Sequence, residues 1–364
     1  MANILDYIKW RGDLTLEQSK FNEIDNLILS GVIYFPFEEI MEENEIVLIR
    51  ELGRRLSKKS IDKTKILQKE DMELLPLMAN SKRFGEMKLT KYVNKIEKEQ
   101  EKQFSAITIL MPDETIYISY RGTDASIVGW KEDLNMSFKS HVPSQLDAVS
   151  YLQTIAQYYE GPIRVGGHSK GGNLAVYASV FANKEIRKRI INVYNNDGPG
   201  FDDDVTETEQ YKEIIKRVHT YIPQESVFGR LLNHEEKYTV VESSQKGILQ
   251  HLIYSWQVLG NQFVHLKEVT NGSKFIDKTI KDWLKQTEPK EREQVIDIIF
   301  EIINTTEADT FFEIKDKWLT NGKTILTSYK NIKPESKQMI LNTISALFKI
   351  AKDNFFEGRQ KGKK

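Results

Sequence analysis

The stretch Gly166-Gly167-His168-Ser169-Lys170-Gly171-Gly172 holds a hydroxyl with a glycine two residues to either side. Gly-x-Ser-x-Gly carries nucleophilic chemistry when the chain bends there directly from a strand into a helix. Small neighbours let the two elements approach, the bend lifts Oγ clear of the backbone, and the helix start aims N–H groups at the reacting centre. The chemistry would be acyl transfer, with Ser169 attacking a carbonyl and the Lys170 N–H forming half of an oxyanion site. Glycines opening a helix can also cradle phosphate. Here the Gly-Lys-Ser/Thr ending and the Gly-x-Gly-x-x-Gly spacing of such loops are both missing.

A serine nucleophile needs a base, and the chain has six histidines: His141, His168, His219, His234, His251 and His265. In a fold built around such an elbow, the histidine follows the acid in chain order. His141 precedes the serine, His219 falls inside an expected strand, and His168 adjoins the nucleophile, where its ring is expected to face away and pack. His251 follows the last expected strand, Lys237 to Glu242, in the loop Gly247-Ile248-Leu249-Gln250-His251, and is assigned as the base, with His234 next. Two carboxylates compete as the third member. Asp197 closes one strand in Asn195-Asn196-Asp197-Gly198-Pro199-Gly200, and Glu225 follows another that ends Tyr221-Ile222-Pro223. Either would select the imidazole tautomer and stabilise imidazolium; Asp197 also reads as a turn residue satisfying backbone donors. The run Asp202-Asp203-Asp204 reads as a solvated loop rather than a calcium site.

The elements that must position these groups alternate. Residues 103–120 give a strand, a Met111-Pro112-Asp113-Glu114 break and a second strand. Leu146, Val149, Leu152, Ile155, Ala156 and Tyr159 keep helical spacing near 145–159. Then come a short strand at Ile163-Arg164-Val165-Gly166, a helix from Gly172 to Asn183, a strand at Ile190–Tyr194, a helix at Tyr211–Arg217 and a strand at Val218–Ile222. Strands separated by helices imply a parallel sheet covered on both faces, with ligands outside the carboxyl ends of the strands. The expected organisation is a mostly helical, highly charged region over 1–100, an α/β core over 101–270 and a helical region over 271–364. Within these, Lys95–Lys102 reads as a solvated helix end or linker. Val295, Ile296, Ile298, Ile299, Ile302 and Ile303 form one apolar stripe, and Ile340, Ile344, Leu347 and Phe348 another. The basic tail Gly358–Lys364 reads as disordered.

Three blocks in this order, Arg121-Gly122-Thr123, then Trp130 and Asp133, then Gly167-His168-Ser169-Lys170-Gly171-Gly172, resemble the class 3 lipase family. They are closest to its bacterial hydrolase-like relatives of unassigned function, and the similarity covers roughly residues 103–256. It implies an α/β-hydrolase fold. It also implies that Thr123, through its N–H and hydroxyl, shares the oxyanion hole with Lys170, that Trp130 with Ile127 and Val128 occupies the place of a short lid, and that Gln250-His251 matches the family's histidine. In that family the acid stands at the place of Glu225, usually as Asp, so Glu225 is preferred over Asp197. Arg121 is expected to form a structural ion pair under the loop. Lys170 departs from the apolar residue many lipases carry beside the serine, which argues against a long greasy substrate.

Composition agrees with this reading. The chain has 364 residues, 52 basic against 53 acidic, and no cysteine. Disulfides, thiolate zinc sites and cysteine nucleophiles are therefore excluded. The near-zero net charge gives no global field for nucleic acid. The start shows no basic n-region followed by an apolar run, and no stretch approaches the length of a membrane span. A cytoplasmic carboxylic-ester hydrolase acting on a small-molecule acyl ester is the preferred expectation, with no cofactor and no metal. A thioesterase or acyltransferase would use the same residues. The rival is a hydrolase-fold interaction protein whose helical ends bind partners.

Overall fold

In the computed structural model, the described residues are 2–124, 126–306, 308–310, 313 and 318–361. Among them, nine strands form one sheet. It runs β1 (Val47–Leu48), β2 (Lys88–Glu97), β3 (Lys102–Leu110), β4 (Ile116–Tyr120), β5 (Ile163–His168), β6 (Ile190–Asn196), β7 (Val218–Pro223) and β8 (Tyr238–Val241). Past a β9 (Val258–Leu259)/β10 (Gln262–Phe263) hairpin, β11 (His265–Leu266) closes the edge. Strands β4 to β8 pair in parallel, while β3 against β4 and β11 against β8 are antiparallel. A mostly parallel sheet flanked by helices, with the serine motif between strand and helix, is the α/β-hydrolase fold.

Alternation along the strands feeds two apolar layers. Ile107, Ile109 and Tyr117 face one layer; Phe104, Ala106, Ile116, Ile118 and Tyr120 face the other, with Leu152, Ile155 and the elbow helix. The first layer is completed by residues from the start of the chain. The helix Glu23–Gly31 is capped by Asn22 and Asp25 in a reciprocal capping box, and Ile24, Leu27, Ile28 and Leu29 on it are buried. Its Asp25 meets Arg83 in a fully buried pair (Nε to Oδ1 2.6 Å), to which the Tyr7 hydroxyl adds a bond at 3.1 Å. A buried charge is tolerable only when paired in this way.

The chain divides into two compact units that differ from the 1–100, 101–270 and 271–364 expectation. Met1–Lys95 joins Phe104–Gly122 and Pro143–Thr270 in one unit; Ile96–Gln103 and Thr123–Val142 go with Asn271–Lys364 in the other. Residues 88–97 are strand β2 rather than part of a helical region, and only Lys98–Gln100 of the expected helix end is helical, as a single 3-10 turn. The strand was hidden because its residues are largely polar and only half-buried. In the second unit Ile127 packs on Ile296 and Phe300, whereas Ile344 and Phe348 of the other apolar stripe are exposed. The helix Pro334–Lys361 runs into the tail expected to be disordered, whose last three residues lie outside the described ones.

The elbow is the tightest point of the sheet. A Cβ on Gly167 would stand 2.3 Å from the carbonyl carbon and oxygen of Gly171, and one on Gly171 would stand 2.1 Å from the Tyr120 oxygen. Alanine at either position should destabilise the protein by about 1–3 kcal/mol or prevent folding. Gly322→Ala, on an exposed helix where nothing lies within 4 Å, should instead stabilise by about 0.5–1 kcal/mol. Urea unfolding of the three variants checks both signs.

Candidate active site

Ser169 follows β5 directly and caps the helix Lys170–Phe181, with φ 58° and ψ −134°. A side-chain-bearing residue is rarely found there, and such strain persists only where the surroundings over-determine it. Here they do. The Ser169 N–H donates to the Asn196 carbonyl at 2.9 Å and Gly172 N–H donates to the Ser169 carbonyl at 2.8 Å. Below the turn, the Asn196 side chain donates to the Gly167 carbonyl (3.0 Å) and to the Ser30 hydroxyl (3.1 Å), and it accepts from Asn26 at 2.9 Å. The helix Glu23–Gly31 thus supplies polar support directly beneath the elbow.

Because His168 pairs with Asn196 in the parallel register, Asp197 leaves β6 at the level where Ser169 leaves β5. Asp197 is also left-handed, with φ 56°, a conformation that Asp tolerates better than most residues. Its buried carboxylate is fully engaged. Oδ1 accepts from the Ser226 hydroxyl (2.5 Å) and the Gly229 N–H (3.1 Å), and Oδ2 lies 2.6 Å from His251 Nδ1. A Cβ on Gly229 would sit 2.3 Å from that Oδ1, so only glycine brings its N–H this close. The carboxylate accepts only, so Nδ1 carries the proton of this bond, and Nε2 is the ring nitrogen left for other chemistry. The rings of His168 and Phe228 flank the His251 imidazole at 4.4 and 4.5 Å between centroids.

Glu225, preferred from the sequence, is not the carboxylate on His251. Its Oε2 accepts from the Gly247 N–H (2.5 Å) and from Gln250 Nε2 (3.0 Å), while its own N–H donates to Gln250 Oε1 (2.9 Å). It staples the loop that carries His251. The reason for the difference is commitment: Asp197 is buried at the strand end with its carboxylate beside the ring, whereas the Glu225 carboxylate is taken up by Gly247 and Gln250. The next residue, Ser226, belongs to the Asp197 cluster, and neither its type nor its spacing announced that.

The remaining sequence candidates separate. Thr123 donates its hydroxyl to Asp133 Oδ2 at 2.5 Å, so that hydroxyl is not free for an oxyanion and the N–H is the group left to consider. The Lys170 N–H opens the elbow helix, and its side chain is buried rather than presented to solvent. Arg121 is buried and donates to Asn94 Oδ1 at 3.0 Å. Trp130 lies on the helix Ile127–Asn135 and is exposed. His234 bonds Glu236 (2.9 Å), His265 bonds Glu23 (2.8 Å), His219 bonds Asn192 (2.9 Å), and His141 is near Ser140. Asp203 accepts from Asn233, and among the described residues no group of three or more His, Asp or Glu side chains is arranged to hold a metal ion.

His168 packs, as expected, but it also makes two polar contacts, to the Tyr34 hydroxyl (3.0 Å) and to the His251 carbonyl (2.8 Å). Burial first, and the neighbouring His251 second, hold its imidazole well below the usual histidine range. In the unfolded chain it takes a proton as pH falls through about 6.5, and in the folded chain it does not. The unfolded state then binds more protons, so this histidine's contribution is present above that pH and lost below it. Urea unfolding from pH 7 down to 5 should therefore show a steeper loss of stability in wild type than in His168→Gln. A second expectation concerns His251: ¹⁵N NMR should find its proton on Nδ1. Asp197→Asn should shift those ring resonances strongly, and Glu225→Gln should leave them nearly in place.

Among the described residues no helix is long and apolar enough to cross a membrane. No curated protein matches the chain. Among solved structures it is similar to the crystal structure of M37 lipase, with 14% identity and a TM-score of 0.39, over 59% of this chain and 71% of that one. The model of the Mbeg1-like family matches residues 78–301, more than half of the sequence, and the chain belongs to that family.

Proposed function

We propose that the protein is a serine hydrolase of carboxylic esters that works through an acyl-enzyme on Ser169. The carrying observation is the pairing of a strained serine at the end of β5 with a His251–Asp197 dyad anchored at the end of the neighbouring β6. In this reading the Ser169 hydroxyl adds to the ester carbonyl as its proton passes to His251 Nε2. Asp197, held by Ser226 and Gly229, keeps the Nδ1–H tautomer and stabilises the imidazolium. The tetrahedral oxyanion takes a hydrogen bond from the backbone N–H of Lys170 at the start of the elbow helix. Collapse expels the alcohol with the proton returned by His251. Water then repeats the sequence, cleaving the acyl–Ser169 bond and releasing the acid.

The division of labour follows from the contacts. A carboxylate with one oxygen committed to two donors cannot swing, so its other oxygen orients the imidazole, and orientation is where a triad acid has its effect. Backbone donors fixed by a helix start need no reorganisation as charge develops. The same residues would serve a thioester or an acyl acceptor other than water, so substrate range has to be measured.

A fluorophosphonate probe should label wild type and leave Ser169→Ala unlabelled; equal labelling of both, or of neither, would refute the reading. With short p-nitrophenyl esters, Asp197→Asn should lower kcat by about 10³–10⁴-fold. Glu225→Gln should lower it far less, because its carboxylate holds the loop rather than the ring.

A further inference from the structure

We infer that His168 is a positioning residue for His251, fixing the backbone of the base through a relay that begins at Tyr34; this rests on the serine hydrolase reading above. A carbonyl oxygen only accepts, so His168 Nε2, 2.8 Å from the His251 carbonyl, carries the proton. Nδ1 then holds a lone pair and accepts from the Tyr34 hydroxyl at 3.0 Å. Both ends of the ring are used, and only this neutral tautomer lets the Tyr34 hydroxyl and the His251 carbonyl keep their natural roles. The result is a chain from Tyr34 through His168 to the main chain of the base.

Three further observations give the relay a purpose beyond packing. Tyr34 and His168 are both buried, and a hydrogen bond withdrawn from solvent holds position better than an exposed one. The loop bearing His251 is also tied at Gly247 and Gln250, by Glu225, the Gln245 carbonyl and the Trp256 indole, and Asp197 holds the His251 ring. The His168 bond acts on the main chain of residue 251 itself. Finally, Gly122 of the Arg121-Gly122-Thr123 motif leaves the space the relay needs: a Cβ there would stand 2.4 Å from the Tyr34 hydroxyl and 2.5 Å from the His168 carbonyl. The motif glycine and the residue before the nucleophile therefore belong to one device. A neutral ring centred 4.4 Å from His251 also spares the imidazolium formed in the reaction a like charge at close range.

The test uses full-length protein and p-nitrophenyl butyrate. His168→Phe keeps a ring but neither bond, Tyr34→Phe removes only the first link, and His168→Gln restores a donor and an acceptor. Displacing a reacting group by about 1 Å costs on the order of 100-fold, so His168→Phe should lower kcat about 10–100-fold with KM within about twofold. Tyr34→Phe should lower kcat by a smaller factor in the same way, and His168→Gln should recover to within about fivefold of wild type. If His168→Phe does not fold, Tyr34→Phe against wild type carries the same comparison. Unchanged kcat in the phenylalanine variants, or equal loss in His168→Gln and His168→Phe, overturns the relay while fluorophosphonate labelling that depends on Ser169 leaves the hydrolase reading standing. Labelling independent of Ser169 removes the hydrolase reading itself.

Discussion

The whole site depends on one backbone conformation, the φ of 58° at Ser169. An L-residue held there is strained by roughly 1–3 kcal/mol, and the strain is met by contacts available only if strand and helix almost touch. Gly167 against Gly171, and Gly171 against Tyr120, are those contacts. Once the turn is closed, the direction of the Ser169 side chain and the start of the elbow helix are no longer independent choices. The second left-handed residue, Asp197, repeats the device one strand away, and Gly198 beside it is packed so close that a Cβ would sit 2.3 Å from the Ser169 carbonyl. Two forced turns at the ends of paired strands put a hydroxyl and a carboxylate at one level of the sheet.

The electrostatics of the loop opposite explains why two carboxylates are present and only one of them touches the His251 ring. Asp197 is buried and accepts from Ser226, Gly229 and His251; Glu225 accepts from Gly247 and Gln250. Both act on the segment Gly247–His251, one on the imidazole and the other on the backbone that carries it. Exchanging their roles would require Glu225 to abandon a loop staple and Asp197 to leave three partners. A buried carboxylate left without its donors is costly, so satisfaction of the buried polar groups, not chain position, keeps Asp197 on the imidazole and Glu225 on the loop.

Much of this was legible in the residues. The alternation at 103–120, the elbow glycines and the apolar strands from 163 to 222 prescribed a parallel sheet, and the expected strand limits lie within two residues of the observed ones. His251, the base in the reading proposed above, stands out in the sequence by chain order and a loop context. The carboxylate beside that ring was harder, because an Asp in Asn195-Asn196-Asp197-Gly198 has a good turn reading and nothing in the sequence says which of two strand-end carboxylates is buried. Strand β2 was hidden by polar residues such as Lys91, Asn94 and Lys95, which interrupt any apolar alternation. Ser226, Gly229 and Tyr34 act through single contacts, which leave no periodic trace.

The largest change of view concerns the first hundred residues. A charged helical pattern suggests an accessory, yet Met1–Lys95 shares a compact unit with the sheet. Asn26 and Ser30 bond Asn196 under the elbow, Ser119 donates to the Leu29 carbonyl at 2.9 Å, and Tyr34 bonds His168. Charge on one helix face conceals what the other face does, because solubility and core packing are written on the same element. Removing this region would uncover one apolar layer of the sheet and strip partners from Asn196 and His168 together. Buried polar groups that lose partners cost more than the bonds contributed. The N-terminal segment accordingly supplies bonds under the turn that holds Ser169, and it belongs to the same compact unit as strands β4 to β8.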